Sequence, residues 1–233
     1  MKLFKGLMIL GLVGFPLLGQ EEAAPPAQVE TIDENRIRVG EVIIDKKSRE
    51  IRFPAEVNMR EGLLELAVVH VNGKIHESLF MTNTRPINLN IGLKLMGYPE
   101  SKELYEILDE EYRPTGKFYE VAEDVREKAR MDIFVEWEEG EKIKRTSLND
   151  LIYHEVLEKP MPSGPWLYGG SYMLRERFKA EISGDIVGIY VFRSALINYP
   201  GPDRNSDEVW IPNARVVPAV GTKVTIVIAE RKE

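Results

Sequence analysis

The chain has 233 residues, of which 43% are hydrophobic and 30% charged, and its formal net charge is −7 at pH 7. This length predicts one sizeable folded domain, since domains usually have about 100–200 residues. The acidic balance argues against binding to nucleic acid or to anionic membrane surfaces. The sequence contains no cysteine, which excludes disulfides, thiolate metal sites and lipid attachment through cysteine.

The N-terminal region has the layout of a secretory signal peptide. Lys2 and Lys5 precede an apolar run over residues 6–19, and a charged start before a short apolar stretch is typical of such peptides. The run is too short to cross a membrane comfortably. We therefore expect a signal peptide over residues 1–19, with an uncleaved anchor as the alternative, and an exported protein that is periplasmic or secreted.

The next segment separates this region from the folded domain. Residues 20–35 include a stretch rich in Glu, Ala and Pro, which predicts a flexible linker. The domain is then expected over residues 36–233. It begins with two apolar segments, 37–44 and 50–57, which predict a first β-hairpin because polar turn residues separate them.

Asn72-Gly73 is the strongest turn signal in the chain. A two-residue type I′ turn needs positive φ at both central positions, which Asn-Gly tolerates best. A hairpin around this turn makes His70 and Glu77 diagonal neighbours on one face and turns His76 to the other face. The two histidines are therefore not expected to bind one metal ion, and no metal site is predicted.

The segment after this hairpin has an ambiguous period. Apolar residues alternate from Ile87 to Leu95 as in a half-buried strand, but several also lie four positions apart as in a helix. Pro86 suits a first helical turn, and Gly97 followed by Pro99 is a stop signal. We therefore favour a helix.

The remaining segments are mostly strand-like. Residues 100–130 are strongly charged and are interpreted as a solvated surface. The pattern predicts hairpins within residues 131–146 and 178–192, and a central strand at 224–228, which is apolar on both faces. Together these elements predict a single α+β domain dominated by antiparallel β-hairpins and sheet, with two to four short helices on one side.

Seven short motifs follow one another in a fixed order. They are 74–79 (KIHESL), 84–86 (TRP), 93–97 (LKLMG), 166–171 (WLYGGS), 180–184 (AEISG), 198–200 (NYP) and 217–222 (VPAVGT). Together they resemble the bacterial YdjY-domain family over roughly residues 36–229. The resemblance implies an exported envelope protein without an established activity. Some relatives are described as cysteine-rich and ferredoxin-like, but a chain without cysteine cannot carry an iron–sulfur cluster on thiolates. No cofactor is predicted.

The candidate binding residues are His70, His76, Glu77, Arg85 and Ser171, and no catalytic residue is assigned. A carboxylate beside a histidine fixes its tautomer and raises its basicity, so His70 oriented by Glu77 could act as a general base. The alternative, which we weight more heavily, is a structural polar pair that closes the sheet edge or holds the Arg85 loop. His76-Glu77 does not begin an H-E-x-x-H motif, so the zinc-protease arrangement is absent.

Two further patterns are interpreted as non-functional. His154, near the end of a predicted short helix, is expected simply to face solvent. Residues 203–207 place oxygen ligands at alternate positions, as calcium loops do, but Glu208 replaces the required glycine and Ala214 the bidentate glutamate. We therefore interpret this loop as a solvated turn.

Two functional hypotheses follow. The first is a non-enzymatic binding or interaction domain whose partner is an envelope protein or a small ligand. The alternative is an envelope hydrolase that uses the His/Glu cluster. A cleft joining His76, Glu77, Arg85 and Ser171 would favour the enzyme, and a solvated sheet face would favour binding. Membrane association is expected only if the signal segment stays uncleaved.

Overall fold

The computed structural model describes residues 28–231. The expected signal peptide over residues 1–19 lies outside these residues and stays a prediction. Of the described chain, 40% is strand and 14% is helical, so strands supply most of the framework. The first strand, Val29–Thr31, pairs with Arg36–Val39, so the sheet includes the end of the segment expected as a linker.

The strands of the described residues are numbered in chain order. They are β1 (Val29–Thr31), β2 (Arg36–Val39), β3 (Val42–Asp45), β4 (Glu50–Val57), β5 (Leu66–His70), β6 (Ser78–Thr82), β7 (Glu106–Leu108), β8 (Pro114–Phe118), β9 (Arg130–Glu139), β10 (Lys142–Ser147), β11 (Ile152–His154), β12 (Lys159–Pro160), β13 (Trp166–Tyr168), β14 (Met173–Leu174), β15 (Arg177–Phe178), β16 (Asp185–Gly188), β17 (Ile197–Asn198), β18 (Trp210–Pro212) and β19 (Lys223–Glu230). The helices are α1 (Pro86–Leu95), α2 (Glu123–Lys128) and α3 (Lys179–Ser183), and 3-10 turns form at Ile75–Glu77 and Leu148–Leu151.

Eight strands close into a β-barrel. Their order round the barrel is β4, β19, β9, β13, β17, β16, β5 and β6, and β6 returns to β4 through the pairs Glu56–Met81 and Val57–Phe80. Neighbouring strands are antiparallel except for the pairs β5–β6 and β16–β17. Outside the ring, β3, β2 and β1 extend from β4, and β10 extends from β9. Closure gives strand partners to backbone groups that an open sheet would leave at its edges.

The core follows the two-residue period of the strands. On β9, the buried side chains are Met131, Ile133, Val135 and Trp137. On β4, they are Ile51, Phe53, Ala55 and Val57. β19 lies between these two strands and is apolar on both faces, so the prediction of a central strand there is confirmed. The predicted hairpin within residues 131–146 is confirmed as β9–β10.

The expected α+β fold is wrong, because the strands form a closed barrel with only three short helices in the described chain. The sequence pattern identified strands and local hairpins but could not show that β6 returns to β4. Closure rests on pairs such as Glu56–Met81, which are distant in sequence and have no local signature. The hairpin expected within residues 178–192 is also wrong, because Lys179–Ser183 is helical.

The hairpin expected at Asn72-Gly73 is wrong as well. β5 passes through the 3-10 turn into β6, which runs parallel to β5, with Leu66 opposite Ser78 and His70 opposite Thr82. Neither Asn72 nor Gly73 has the positive φ that a type I′ turn requires. The barrel needs β6 between β5 and β4, and this tertiary pairing overrides the local turn preference.

The helix predicted after Pro86 is confirmed as α1, and Gly97 beyond its end has φ +81°. Asn90, a poor helix former, is buried, and its Oδ1 accepts a hydrogen bond of 2.6 Å from the Tyr168 hydroxyl. This bond joins α1 to β13 of the barrel. Asn90 therefore has a tertiary role that outweighs its low intrinsic helix propensity.

Candidate functional site

Three of the five candidate residues hold one short helix, α3, against the barrel. The Ser171 Oγ accepts a hydrogen bond of 3.1 Å from the Ala180 amide in its first turn. The His70 amide donates a bond of 2.8 Å to the Gly184 carbonyl just after its last turn. Arg85 donates to Glu181 within it. A helix of five residues is not stable alone, so these contacts fix its position.

The Glu181 carboxylate also joins α3 to α1. Its Oε1 lies 2.5 Å from the Arg85 Nε, and its Oε2 accepts a bond of 3.1 Å from the Ile87 amide. The first turn of α1 has no acidic residue of its own, and a carboxylate there satisfies a free amide and complements the helix dipole. Arg85 therefore orients a capping group.

The expected pair of His70 and Glu77 does not form. In the described chain no hydrogen bond joins them, and the His70 Nδ1 accepts a bond of 3.2 Å from the Asn72 amide. Lys74 contacts Glu77 at 3.2 Å and Glu65 at 2.6 Å, while the His76 Nε2 lies 3.4 Å from the Glu77 Oε1. The His76 side chain is 73% exposed. Glu65, Lys74, His76 and Glu77 therefore form a solvated ionic cluster, which does not include His70.

The pKa of Glu77 is lowered within this cluster. Burial opposes the charged form, but hydrogen bonds with Glu65 and Lys74 and the charges of Lys74 and His76 outweigh it. The hydrogen bond to Glu65 is the main factor that raises the pKa of Lys74. A carboxylate held in its charged form among neighbouring cations is poorly suited to take up a proton as a general base.

We expect Glu77→Gln to lower the free energy of unfolding by about 0.5–1 kcal/mol at neutral pH. Because the folded-state pKa is depressed, the stabilisation is present above the ordinary carboxyl pKa and is lost as pH falls through the folded value. Urea unfolding at neutral and strongly acidic pH checks this, with the exposed turn residue change Glu141→Gln as the control. A loss of stability that stays constant across this range would contradict the assignment.

His154 lies in a second polar contact, away from these residues. The expectation that its ring faces solvent is wrong, because the ring is buried among its partners. Its Nδ1 accepts a bond of 3.2 Å from the Leu157 amide, and its Nε2 lies 3.2 Å from the Asp203 carboxylate. Since Nδ1 is an acceptor, Nε2 carries the proton that is donated to Asp203. Both ring nitrogens therefore have hydrogen-bond partners. The contact between His154 and Asp203 joins β11 to the loop of residues 203–207, which resembles a calcium loop.

A charged cleft of about 460 Å³ opens between the segment 103–130 and the loop that carries Pro200 and Arg204. Four of its lining side chains are apolar or aromatic: Leu104, Tyr119, Val121 and Pro200. The other five are charged: Glu103, Glu120, Arg126, Arg130 and Arg204. Its volume lies within the range of about 300–1,000 Å³ that is typical of small-ligand sites.

Two of the three arginines of the cleft, Arg126 and Arg130, form ion pairs with carboxylates of the protein itself. The Glu103 carboxylate lies 2.5 Å from Arg126 and 3.1 Å from Arg130. Glu123 contacts Arg126 and Glu127 contacts Arg130, each at 3.1 Å. Glu103 is largely buried beneath these guanidinium groups, so this side of the cleft is held by mutual ion pairs.

The two remaining charges have no such partner. The Arg204 Nη1 donates only a long bond of 3.4 Å to the Gly201 carbonyl. Among residues 28–231, no carboxylate lies within 4.0 Å of Arg204, and no cationic group within 4.0 Å of the Glu120 carboxylate. The charged cleft therefore presents one unpaired cation and one unpaired anion beside apolar side chains.

The sequence interpretation missed this cleft because it treated residues 100–130 as solvated surface. The structure anchors this segment to the barrel through Tyr105, which is buried and whose hydroxyl accepts a bond of 3.2 Å from Asn198. Burial raises the pKa of the Tyr105 hydroxyl above its usual range. Apolar and aromatic residues within the charged run, such as Leu104 and Tyr119, were the available signal.

A larger depression of about 730 Å³ on the outer sheet face differs from the charged cleft because its arginine is already paired with carboxylates. Its Arg52 contacts Glu50 at 2.9 Å and also contacts Glu136. Arg145 contacts the same two carboxylates at 2.9 Å each. The four side chains form a closed ring of alternating charge, so these cations already have their counter-ions.

The fold and the charged cleft define a closed β-barrel domain with a surface cleft of small-ligand size. The chain belongs to the YdjY domain family, whose profile matches residues 42–229. The family resemblance of the sequence motifs is thus confirmed. No curated protein and no solved structure matches the chain. No helix of residues 28–231 is long and apolar enough to span a bilayer, and no three His, Asp or Glu side chains there are grouped to hold a metal ion.

Proposed function

We propose that the protein is an exported, non-enzymatic binding domain that takes a small zwitterionic ligand in the charged cleft. The observation that carries this proposal is the presence of two unpaired opposite charges, Arg204 and Glu120, in one cleft with apolar lining. A ligand with one acidic and one basic group would pair both charges. Amino acids and short peptides are the chemical class with this pattern.

The contacts of the polar candidates support binding over hydrolysis. His154 has both ring nitrogens engaged, and the Ser171 Oγ accepts the Ala180 amide. Hydrolysis by a serine needs a base within hydrogen-bond reach of the nucleophile. Arg85 and Ser171 lie against α3, whereas His76 and Glu77 belong to the ionic cluster with Lys74.

Export is the second part of the proposal and rests on the charged and apolar residues at positions 1–19. Expression of the full chain in a bacterial host, followed by fractionation and N-terminal sequencing, tests it. The expected product is in the envelope or secreted fraction and begins near residue 20. A full-length product that stays in the cytoplasm would contradict export without bearing on the charged cleft.

Binding is tested by thermal shift and calorimetry with a panel of dipeptides. The panel includes free dipeptides, N-acetylated forms that lack the cation and amidated forms that lack the anion. A ligand at a hundredfold excess over its Kd stabilises the native state by about 2.7 kcal/mol. We expect this stabilisation for free dipeptides and a much weaker one for both blocked forms.

Arg204→Gln is expected to weaken dipeptide binding by about tenfold or more, since it removes a charge-assisted hydrogen bond. Arg215→Gln is the matched control, because Arg215 is an exposed arginine outside the charged cleft. Glu120→Gln should weaken binding of the free dipeptide but leave binding of the N-acetylated form unchanged. Equal effects of Arg204→Gln and Arg215→Gln, or no binding by any form, would overturn the ligand assignment.

A further inference from the structure

The hairpin β14–β15 exposes three consecutive apolar side chains. Tyr172, Met173 and Leu174 are 43%, 61% and 44% exposed, respectively. Ile182 on the next helix, α3, is also exposed. Scattered surface apolar residues need no explanation, but three consecutive exposed apolar side chains on one hairpin indicate an interaction surface.

The tip of this hairpin adopts a backbone conformation that its residues do not favour. Leu174 pairs with Arg177, so Arg175 and Glu176 form a two-residue turn. Their φ values are +47° and +67°, a pattern that Asn-Gly adopts at lower cost. Backbone strain of this kind persists where the surrounding structure or function requires it. The turn thus places the charged side chains of Arg175 and Glu176 at the tip of the hairpin.

The charges beside the apolar group are mostly positive. Arg175 and Lys179 lie at the hairpin tip and at the start of α3, with Glu176 as the acidic residue between them. Arg177 is not counted among these charges, because it already has an interaction partner. Glu181 further along α3 is already paired with Arg85. Exposed apolar side chains flanked by lysine and arginine are the combination that binds an anionic lipid surface.

We propose that the β14–β15 hairpin docks on an anionic membrane surface, inserting Tyr172, Met173 and Leu174 at the level of the lipid headgroups. The positive side chains would then contact lipid phosphates. The net charge of −7 argues against an anionic surface for the chain as a whole, but exposed charges beyond the Debye length, about 8 Å at physiological ionic strength, are largely screened. The local charge of the hairpin therefore decides the interaction. This proposal is independent of the charged cleft.

The chain contains a matched turn with the opposite flanking charge. Val156 and Leu157 are 71% and 53% exposed, but they lie between Glu155 and Glu158 in the turn from β11 to β12. If apolar exposure alone caused lipid binding, both turns would bind. If the positive charges are needed, only the β14–β15 hairpin will do so.

A single introduced cysteine gives a local reading of this contact, because the chain has no cysteine of its own. We would label Met173→Cys, and separately Val156→Cys, with an environment-sensitive dye in the full chain. Phosphatidylglycerol vesicles are expected to shift the emission of the dye at position 173 to shorter wavelength, with quenching by brominated lipid. The dye at position 156 should remain in water. This local reading is unaffected by any membrane contact of the N-terminal region.

The electrostatic part is tested with Arg175→Glu and Lys179→Glu in the labelled chain. Because each basic side chain near an anionic surface strengthens binding about fivefold, each reversal should weaken the vesicle-induced shift by at least that factor. Phosphatidylcholine vesicles should give little shift. The proposal is overturned if the dye at position 173 shows no shift with anionic vesicles, or shifts no more than the dye at position 156. A shift only on addition of an envelope protein would assign the hairpin to a protein partner instead.

Discussion

Gly184→Ala is expected to destabilise the protein by about 3 kcal/mol or more. Gly184 has φ +78°, and an alanine Cβ there would lie 2.9 Å from the Gly73 Cα and 3.0 Å from the Gly73 nitrogen. A left-handed backbone costs a non-glycine residue about 1–2 kcal/mol, and overpacking a tight contact adds about 1–3 kcal/mol. Both opposing atoms belong to the backbone, so no side chain can move aside.

Gly97→Ala separates these two contributions. Gly97 has a similar φ of +81°, but a Cβ there would meet nothing within 4 Å. We expect this control to lose only about 1–2 kcal/mol, the backbone term. Urea unfolding of both variants gives the comparison. Equal losses would mean that the approach of Gly73 to Gly184 contributes nothing to the stability of the α3 contact.

Removal of residues 223–233 is expected to abolish cooperative folding. This deletion takes out β19, which pairs with β4 on one side and β9 on the other. It also removes the buried side chains of Val224, Ile226, Val227 and Ile228. Burial of such side chains contributes about 1.5–3 kcal/mol each, which together approaches the whole stability of a typical domain, about 5–15 kcal/mol.

The control deletion removes residues 231–233 only, because β19 ends at Glu230. Among residues 28–231 it breaks the ion pair between Arg231 and Asp132, at 3.5 Å, and it should change stability by less than about 1 kcal/mol. Circular dichroism and thermal unfolding distinguish the two deletions. Cooperative unfolding of the longer deletion would show that the barrel does not depend on closure through β19.

The sequence was informative where short-range chemistry decides the structure. Pro86 and Gly97 correctly bounded α1, although the helix contains Asn88 and Asn90 and asparagine is a poor helix former. The two-residue period correctly indicated β9, and the apolar character of both faces correctly indicated a central strand at β19. In each case the deciding residues lie within a few positions of the element.

The sequence was misleading where a distant partner decides the structure. Asn72-Gly73 has a strong local preference for a hairpin turn, but β6 is required between β5 and β4, and the chain takes a parallel return instead. The helix α3 is short, and its position depends on contacts from Arg85 and Ser171. No local pattern contains these partners, so the predicted α+β architecture missed the barrel.

In the candidate site, too, the sequence decided some features and distant contacts in the folded chain decided the others. The sequence by itself determined the residue types, the family, the absence of thiol chemistry and the positions of the apolar and charged runs. Only the tertiary structure decided which charges are compensated. Arg126 and Arg130 are paired with Glu103, Glu123 and Glu127. Arg204, which lies far from them in sequence, faces the same cleft without a carboxylate partner in the described chain. Charge pairing depends on distances of a few ångströms between separate segments, and those distances arise only when the chain folds.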